Sequence, residues 1–291
     1  MKVSICLITY NHEQYITEAL DSLISQITSF DKEIIIGEDF STDQTRNICQ
    51  HYVNRYPEMI KLVPAERNIG MLKNFHRNLK ECTGEYVAFI EGDDYWTDIY
   101  KLQKQVDFLE ANKEYSACFH NVIMKEERNG ENREWILHES LPKDSFDTED
   151  ILGPWFIPSP SFVFRNYADL DLPEWFFTCK YGDLPFMLLL SLKGNIKYIN
   201  EVMGVYRKHD NGAATNDIEY DKIILMIYIY GIFNVHTNYK YQETIRKTCI
   251  YEIDRHVPKK EVRIEKKDVD KKGIFVKGYK KIKRLIGAVE K

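Results

Sequence analysis

Residues Glu91, Gly92, Asp93 and Asp94 bring three carboxylates within four positions, directly after the β-forming run Tyr86 to Ile90. Like charges this close repel, so the arrangement calls for something positive among them. Two other apolar runs end in the same way. Val3 to Ile8 passes into Thr9, Tyr10 and Asn11, and Ile34 to Ile36 passes into Glu38 and Asp39. Carboxylates without matching Cys or His ligands suit a hard divalent cation, Mn²⁺ or Mg²⁺, which most often works on phosphates. Each group also has a plain structural reading. Glu38 and Asp39 could be an acidic strand-to-helix loop, and Asp93 and Asp94 the cap of a helix near residue 99. Their shared position at strand ends favours the cation.

The elements that place these groups follow from periodicity. Val3 to Tyr10, "KEIIIGED", "IKLVP" and "EYVAFIE" read as four short apolar strands. Between them, Ile16, Ala19, Leu20, Leu23, Ile24 and Ile27 recur at helical spacing, as do Ile48, Cys49, Tyr52 and Val53, and then Met71, Phe75, Leu79 and Cys82. Asn11, Ser41 and Thr42 are N-cap candidates, and Gly84 is a helix stop. Apolar strands alternating with helices predict an α/β fold with a mostly parallel sheet covered on both faces. In such sheets ligands bind beyond the carboxyl ends of the strands, where the acids gather. No G-x-G-x-x-G follows the first strand, which argues against a dinucleotide-binding enzyme.

Beyond Trp96 the pattern loosens. A helix is expected over 99–112, antiparallel strands around the turn Asn129–Gly130, and a shaped loop in "PWFIPSPSFVFRN". A helix over 183–193, a strand in "NIKYI" and two helices over 217–236 and 240–256 complete the chain. The run Ile223 to Phe233 is too short to span a bilayer and reads as a buried core helix.

The 291 residues are 44% apolar and 29% charged, ordinary for a globular protein. The opening residues read as a strand rather than the longer apolar core of a signal peptide. Six cysteines form no C-x-x-C pair, so free thiols in a reducing cytoplasm are expected. Residues 257–291 hold thirteen Lys and Arg against five Asp and Glu, a net of +8. The whole chain is −5, so residues 1–256 carry −13. An acidic body with a basic tail argues against nucleic acid as a partner.

"VSICLITYNHEQYITEALDSLISQ", "EIIIGEDFSTDQT", "RNIGMLKNFHRNL" and "GEYVAFIEGDDYW" together resemble the family 2 glycosyltransferases of GT-A fold, in order over residues 1–110. "KYGDLPFMLLL" and "YRKHDNGAA" extend the likeness more weakly to 215. The resemblance implies a Rossmann-like GT-A domain over 1–215, with a nucleotide-sugar half at 1–100 and an acceptor half at 101–215. A helical region over 216–256 and a basic amphipathic tail over 257–291 follow. Thr9, Tyr10, Asn11, Glu38, Asp39, Arg67, Asn68, Gly70 and Asp93 are the implied nucleotide-sugar contacts. Asp93 and Asp94 are the implied metal ligands, with His209 either a third or an ordinary loop residue. Three departures stand out: Glu38 and Glu91 replace the family's Asp, and Phe40 replaces its Gly.

Sugar transfer needs a general base for the acceptor hydroxyl. Asp183 is its candidate, in an inverting displacement, unless it is only an N-cap. Arg207 and Lys208 could add positive charge, while Trp96, Trp155 and Phe156 could stack on an acceptor or pack the core. The expected substrates are a UDP- or dTDP-sugar and a polysaccharide or lipid-linked oligosaccharide acceptor. In 273–291, Phe275, Tyr279, Ile282, Leu285, Ile286 and Val289 share one helical face among lysines. That pattern fits a cytoplasmic protein resting on an anionic membrane, or a solvated basic helix. A nucleotidyltransferase and a non-catalytic nucleotide-sugar binder are the rival readings.

Overall fold

The computed structural model describes residues 1–128, 130–168, 170–212 and 219–256. The basic tail 257–291 and Asn129 of the expected turn lie outside them. Two compact units divide at residues 217 and 218.

The first unit is built on one mixed sheet. Its N-terminal part runs β1 (Val3–Thr9), α1 (Ile16–Ile24), β2 (Lys32–Glu38), α2 (Thr45–Arg55), β3 (Ile60–Pro64), α3 (Met71–Leu79) and β4 (Tyr86–Glu91). These four strands are parallel, in the order β3-β2-β1-β4. All seven residues of β1 are buried, as expected for a strand covered on both faces. Ile16, Ala19, Leu20 and Leu23 of α1 close over one face with Cys49 and Tyr52 of α2.

The chain continues through β5 (Tyr95–Trp96), α4 (Lys101–Ala111), β6 (Tyr115–Arg128), β7 (Glu131–Ile136), β8 (Ser145–Phe146), α5 (Thr148–Ile151) and β9 (Val163–Arg165). The last elements of this unit are α6 (Asp183–Ser191) and β10 (Asn195–His209). The short β9 is antiparallel to both β4 and β6 and joins the two parts of the sheet. The expected hairpin is present as β6 and β7, from Ile123 opposite Ile136 to Arg128 opposite Glu131.

Four local expectations need correction. The strand begun by "NIKYI" does not stop at Ile199. A register shift between Ile199 and Val202 lets the exposed Asn200 and Glu201 bulge out, and β10 runs on beside β6 to His209. Asn11 caps no helix, because α1 starts after Tyr15; its side chain instead accepts from the Thr42 N–H at 2.8 Å. At α2, Asp43 rather than Ser41 or Thr42 accepts from the Thr45 N–H, at 2.9 Å. Gly84 does not end α3 either, since that helix already closes at Leu79.

The second unit contains α7 (Glu219–His236) and α8 (Gln242–His256). Ile223, Ile229, Tyr230 and Phe233 of α7 are buried, but Ile224, Tyr228 and Val235 are exposed. The run Ile223 to Phe233 is therefore not a helix buried all round. Because it is apolar on every side, periodicity could not pick out its inner face. No helix among the described residues is long and apolar enough to cross a membrane. All six cysteines are free thiols, five of them buried.

Candidate active site

The acids gather because β1, β2 and β4 are parallel and end at one edge. Ile8 pairs with Glu91 and Thr9 with Glu38, so Thr9, Glu38 and Glu91 leave the sheet side by side. Gly92 makes the close approach possible, because a Cβ there would lie 2.6 Å from Thr9 Oγ1 and 3.0 Å from His12 Nδ1. Glu91, Asp93 and Asp94 each offer an oxygen within 4.8 Å of the others.

Each of these carboxylates is held by one oxygen. Glu91 Oε2 accepts from Ser159 Oγ at 3.1 Å. Asp94 Oδ1 accepts from the Arg207 backbone N–H at 2.7 Å. Asp93 Oδ2 meets His209 Nε2 at 3.0 Å and His12 Nε2 at 3.8 Å. Asp93 Oδ1 and Asp94 Oδ2 are buried without a hydrogen-bond partner. Unpaired buried carboxylate oxygens are costly, and an acceptor-only atom is satisfied by a hydrogen-bond donor, a proton or a cation; among the described residues no donor reaches these two. The residues present therefore fit a divalent cation held by Asp93 and Asp94, with Glu91 beside them.

Electrostatics agree with that crowding. Burial, then the Asp93 charge, pushes the Glu91 carboxyl up to about 8. Burial, with Asp93 and Glu91 adding repulsion, lifts Asp94 well above the usual carboxylate range. Burial also works to raise Asp93, but His12 and His209 outweigh it and hold that carboxyl below its ordinary value.

Arg207 supplies the fixed positive charge. Its guanidinium lies 5.2 Å from the Tyr15 ring centroid and 4.5 Å from that of Tyr95. It donates to the Asp93 carbonyl at 2.6 Å and pairs with Glu18. The sequence pointed to Arg207 only as one of two loose cations. It missed His12, Glu18 and Ser159 entirely, since none stands in an acidic or strand-end motif.

The donor-side residues divide by exposure. Tyr10, Asn11, Arg67, Asn68 and Gly70 are exposed, whereas Thr9, Glu38 and Asp39 are buried. Asp39 Oδ1 and Oδ2 accept from the Ile69 and Gly70 N–H groups, each at 2.9 Å. Burial pushes the Asp39 carboxyl up against those two bonds. Gly70, at φ +86°, is left-handed, which suits the turn so clamped. Glu38 accepts from Ser41 N–H at 2.6 Å and pairs with Arg46 at 2.5 Å. Phe40 keeps the left-handed backbone, φ 63°, that a glycine would adopt readily.

Asp183 is the first residue of α6, with Gly182 in the cap position and no side-chain cap bond. Its Oδ2 accepts from Trp155 Nε1 at 2.7 Å. Burial pushes the Asp183 carboxyl up, opposed by the Leu184 N–H and the Trp155 indole. Tyr206 lies nearby; burial and the charges of Glu91, Asp94, Asp183 and Asp93 keep its phenol protonated. Trp155 is 42% exposed, with its ring centroid 6.4 Å from that of Tyr206. Trp96 is a correction: it is 4% exposed, donates to the Pro160 carbonyl at 2.8 Å and is covered by Lys101. It has no face left for an acceptor. Phe156 packs against Phe119 and Phe146.

A mixed sheet with this acidic edge defines a GT-A fold, and the chain belongs to glycosyl transferase family 2, whose sequence model matches residues 4–170. An uncharacterised Mycobacterium tuberculosis protein is 36% identical over 227 residues, covering 72% of this chain and 60% of that one. The chain thus spans less than two thirds of that relative's length. A dTDP-rhamnosyl transferase of Shigella flexneri, RfbG, is 27% identical over 229 residues, 73% of this chain and 74% of its own. The structure of Staphylococcus aureus TarS 1–349 with UDP-GlcNAc superposes with a TM-score of 0.63, at 22% identity, over 88% of this chain and 73% of that one. That likeness is one of fold.

Proposed function

We propose that this chain is an inverting, divalent-metal-dependent glycosyltransferase that moves a sugar from a UDP- or dTDP-sugar to a surface polysaccharide or lipid-linked oligosaccharide. The observation that carries the reading is the pair of unpartnered buried oxygens, Asp93 Oδ1 and Asp94 Oδ2, at the carboxyl edge of a parallel sheet. A diphosphate is the leaving group that most needs charge neutralised at such a place. Mn²⁺ or Mg²⁺ held by Asp93 and Asp94 supplies that neutralisation when bound. RfbG, a dTDP-rhamnosyl transferase, supports a pyrimidine-nucleotide donor.

The chain's own residues have distinct tasks in this reading. Tyr10, Asn11, Arg67 and Asn68 line the nucleotide, and Asp39 holds the Ile69–Gly70 turn against it. Glu38 secures the adjoining loop through Ser41 and Arg46 rather than touching the base. Arg207, His12 and His209 offset the negative charge of the acidic group. Asp183 takes the proton from the acceptor hydroxyl as that oxygen attacks the anomeric carbon. The bond to the diphosphate breaks on the opposite face, which inverts the centre. Trp155, half-exposed beside Asp183, meets the acceptor sugar.

Residues 1–100 form the donor side in this reading and 101–215 the acceptor side, although β10 returns Arg207 and His209 to the acids. The tail 273–291 rests on the anionic inner face of a membrane. Removing it is expected to abolish binding to phosphatidylglycerol vesicles, and unchanged binding defeats that part. The activity itself is tested by release of nucleoside diphosphate from a panel of nucleotide sugars, with and without Mn²⁺. Cleavage of a UDP- or dTDP-sugar that stops when Mn²⁺ is chelated is the expected result. No cleavage of any donor defeats it.

A further inference from the structure

We propose that Trp155 is a positioning residue for the base: its indole N–H holds Asp183 Oδ2, so that Oδ1 is the oxygen turned over to the acceptor hydroxyl. The inference rests on Asp183 being the base. The contact is short, 2.7 Å from Nε1 to Oδ2, and Trp Nε1 can only donate. It is also local to the crevice rather than to the core. Trp155 is 42% exposed and Asp183 is half-buried, so core packing does not account for the pairing. The Tyr206 ring stands beside the indole at 53° and steadies its plane.

A carboxylate at the first position of a helix would otherwise turn toward the free N–H groups of that helix. Here the Leu184 N–H and the indole both bear on Asp183, from α6 and from the loop before β9. Among the described residues, the Glu91 carboxyl from β4 and the Tyr206 phenol from β10 both feel the Asp183 charge. The first repels the ionised base, while the second stays protonated. The Trp155 N–H is thus a major group favouring the ionised form, and it is the one a single ring exchange removes.

Trp155→Phe keeps an aromatic ring beside Tyr206 and deletes the donor. In ¹⁵N-indole spectra of the full chain, the Trp155 resonance is identified by its loss in Trp155→Phe. It is expected to move with pH in the wild type and to lose that movement in Asp183→Asn. The ¹³C-carboxyl midpoint of Asp183 is expected to rise by about one pH unit in Trp155→Phe, the scale of one hydrogen bond to a charged group. The acid limb of donor turnover should rise with it, while donor KM stays unchanged. An indole resonance indifferent to pH, or an Asp183 midpoint unmoved in Trp155→Phe, overturns the proposal. A variant that only melts lower, with its pH limb in place, does so too. Wild-type turnover in Asp183→Asn instead defeats the base assignment, even where the indole resonance titrates in the wild type and not in the variant.

Discussion

The backbone N–H of Arg207 donates to Asp94 Oδ1 at 2.7 Å, joining positions 113 residues apart. This bond finishes the acidic site from outside the segment that carries the acids. It fixes one oxygen of Asp94 and leaves Oδ2 as the unpartnered one. The bond exists because β10 continues past its bulge beside β6 and brings Tyr206, Arg207 and His209 to the ends of β1 and β4.

Asp94→Asn separates the metal reading from a purely structural one. Asn keeps an oxygen for the Arg207 N–H and replaces the unpartnered oxygen with a donor. Burial and repulsion disfavour an ionised carboxyl at this position, so its replacement by a neutral amide should raise the melting temperature of the metal-free protein. Mn²⁺ at about a hundred times its Kd should stabilise the wild type by about 2.7 kcal/mol and the variant far less. Thermal melts with and without Mn²⁺ measure both. An equal Mn²⁺ shift in the two proteins would remove Asp94 from the ligand set.

Asp183→Asn should cost about 10²- to 10⁴-fold in transfer, the usual contribution of a positioned base, with donor binding retained. The pH dependence has a definite sign. Asp183 must be ionised to accept a proton, and burial raises its carboxyl above the ordinary 3.8. Turnover should therefore fall on acidification at a pH higher than an exposed aspartate would give. Rate profiles of wild type and variant check this, and an acid limb at the ordinary aspartate value would argue against the assignment.

Most of the sheet was legible because β1, β2 and β4 are continuous apolar runs that end in polar residues. Periodicity reports which side chains are buried, and strand-end acids report which edge is functional. The partners of those acids were not legible. His12 and Glu18 sit in a loop and on an exposed helix face, and only the tertiary fold brings them to Asp93 and Arg207. Trp96 and Trp155 looked alike as lone aromatics in sequence. Burial under Lys101 took one and the Asp183 carboxylate took the other. Glu38 looked like a ligand-binding acid because it follows a strand, yet its carboxylate turns inward.

Glu38→Ala tests that inward role. Its side chain is fully buried, while Arg46 is 35% exposed, so solvent screens the pair. A loss of about 2 kcal/mol is expected in chemical denaturation, below the range for a wholly buried pair. The loop from Ser41 to Thr45 should loosen, since Glu38 anchors the Ser41 N–H. Nucleotide affinity should fall only modestly in the protein that remains folded. A large loss of affinity without loss of stability would return Glu38 to the donor contacts.

Lys101→Met should make the protein more stable. Lys101 is fully buried, its Nζ has no hydrogen-bond partner, and it lies 3.7 Å from the Trp96 ring centroid. Attraction to the ring does not replace the lost hydration, and burial holds the amine well below its ordinary 10.5. Below pH 10.5 the unfolded chain takes up a proton that the folded one refuses, down to the depressed value. Folding stability should thus rise with pH across that window. Methionine keeps the stem's packing against Trp96 without the amine. The variant should gain about 1–3 kcal/mol near neutral pH, the cost of an unpaired buried polar group. Its stability should also vary less with pH. Urea denaturation at neutral and alkaline pH measures both effects, and a less stable variant with an unchanged slope would show that the buried amine has a partner.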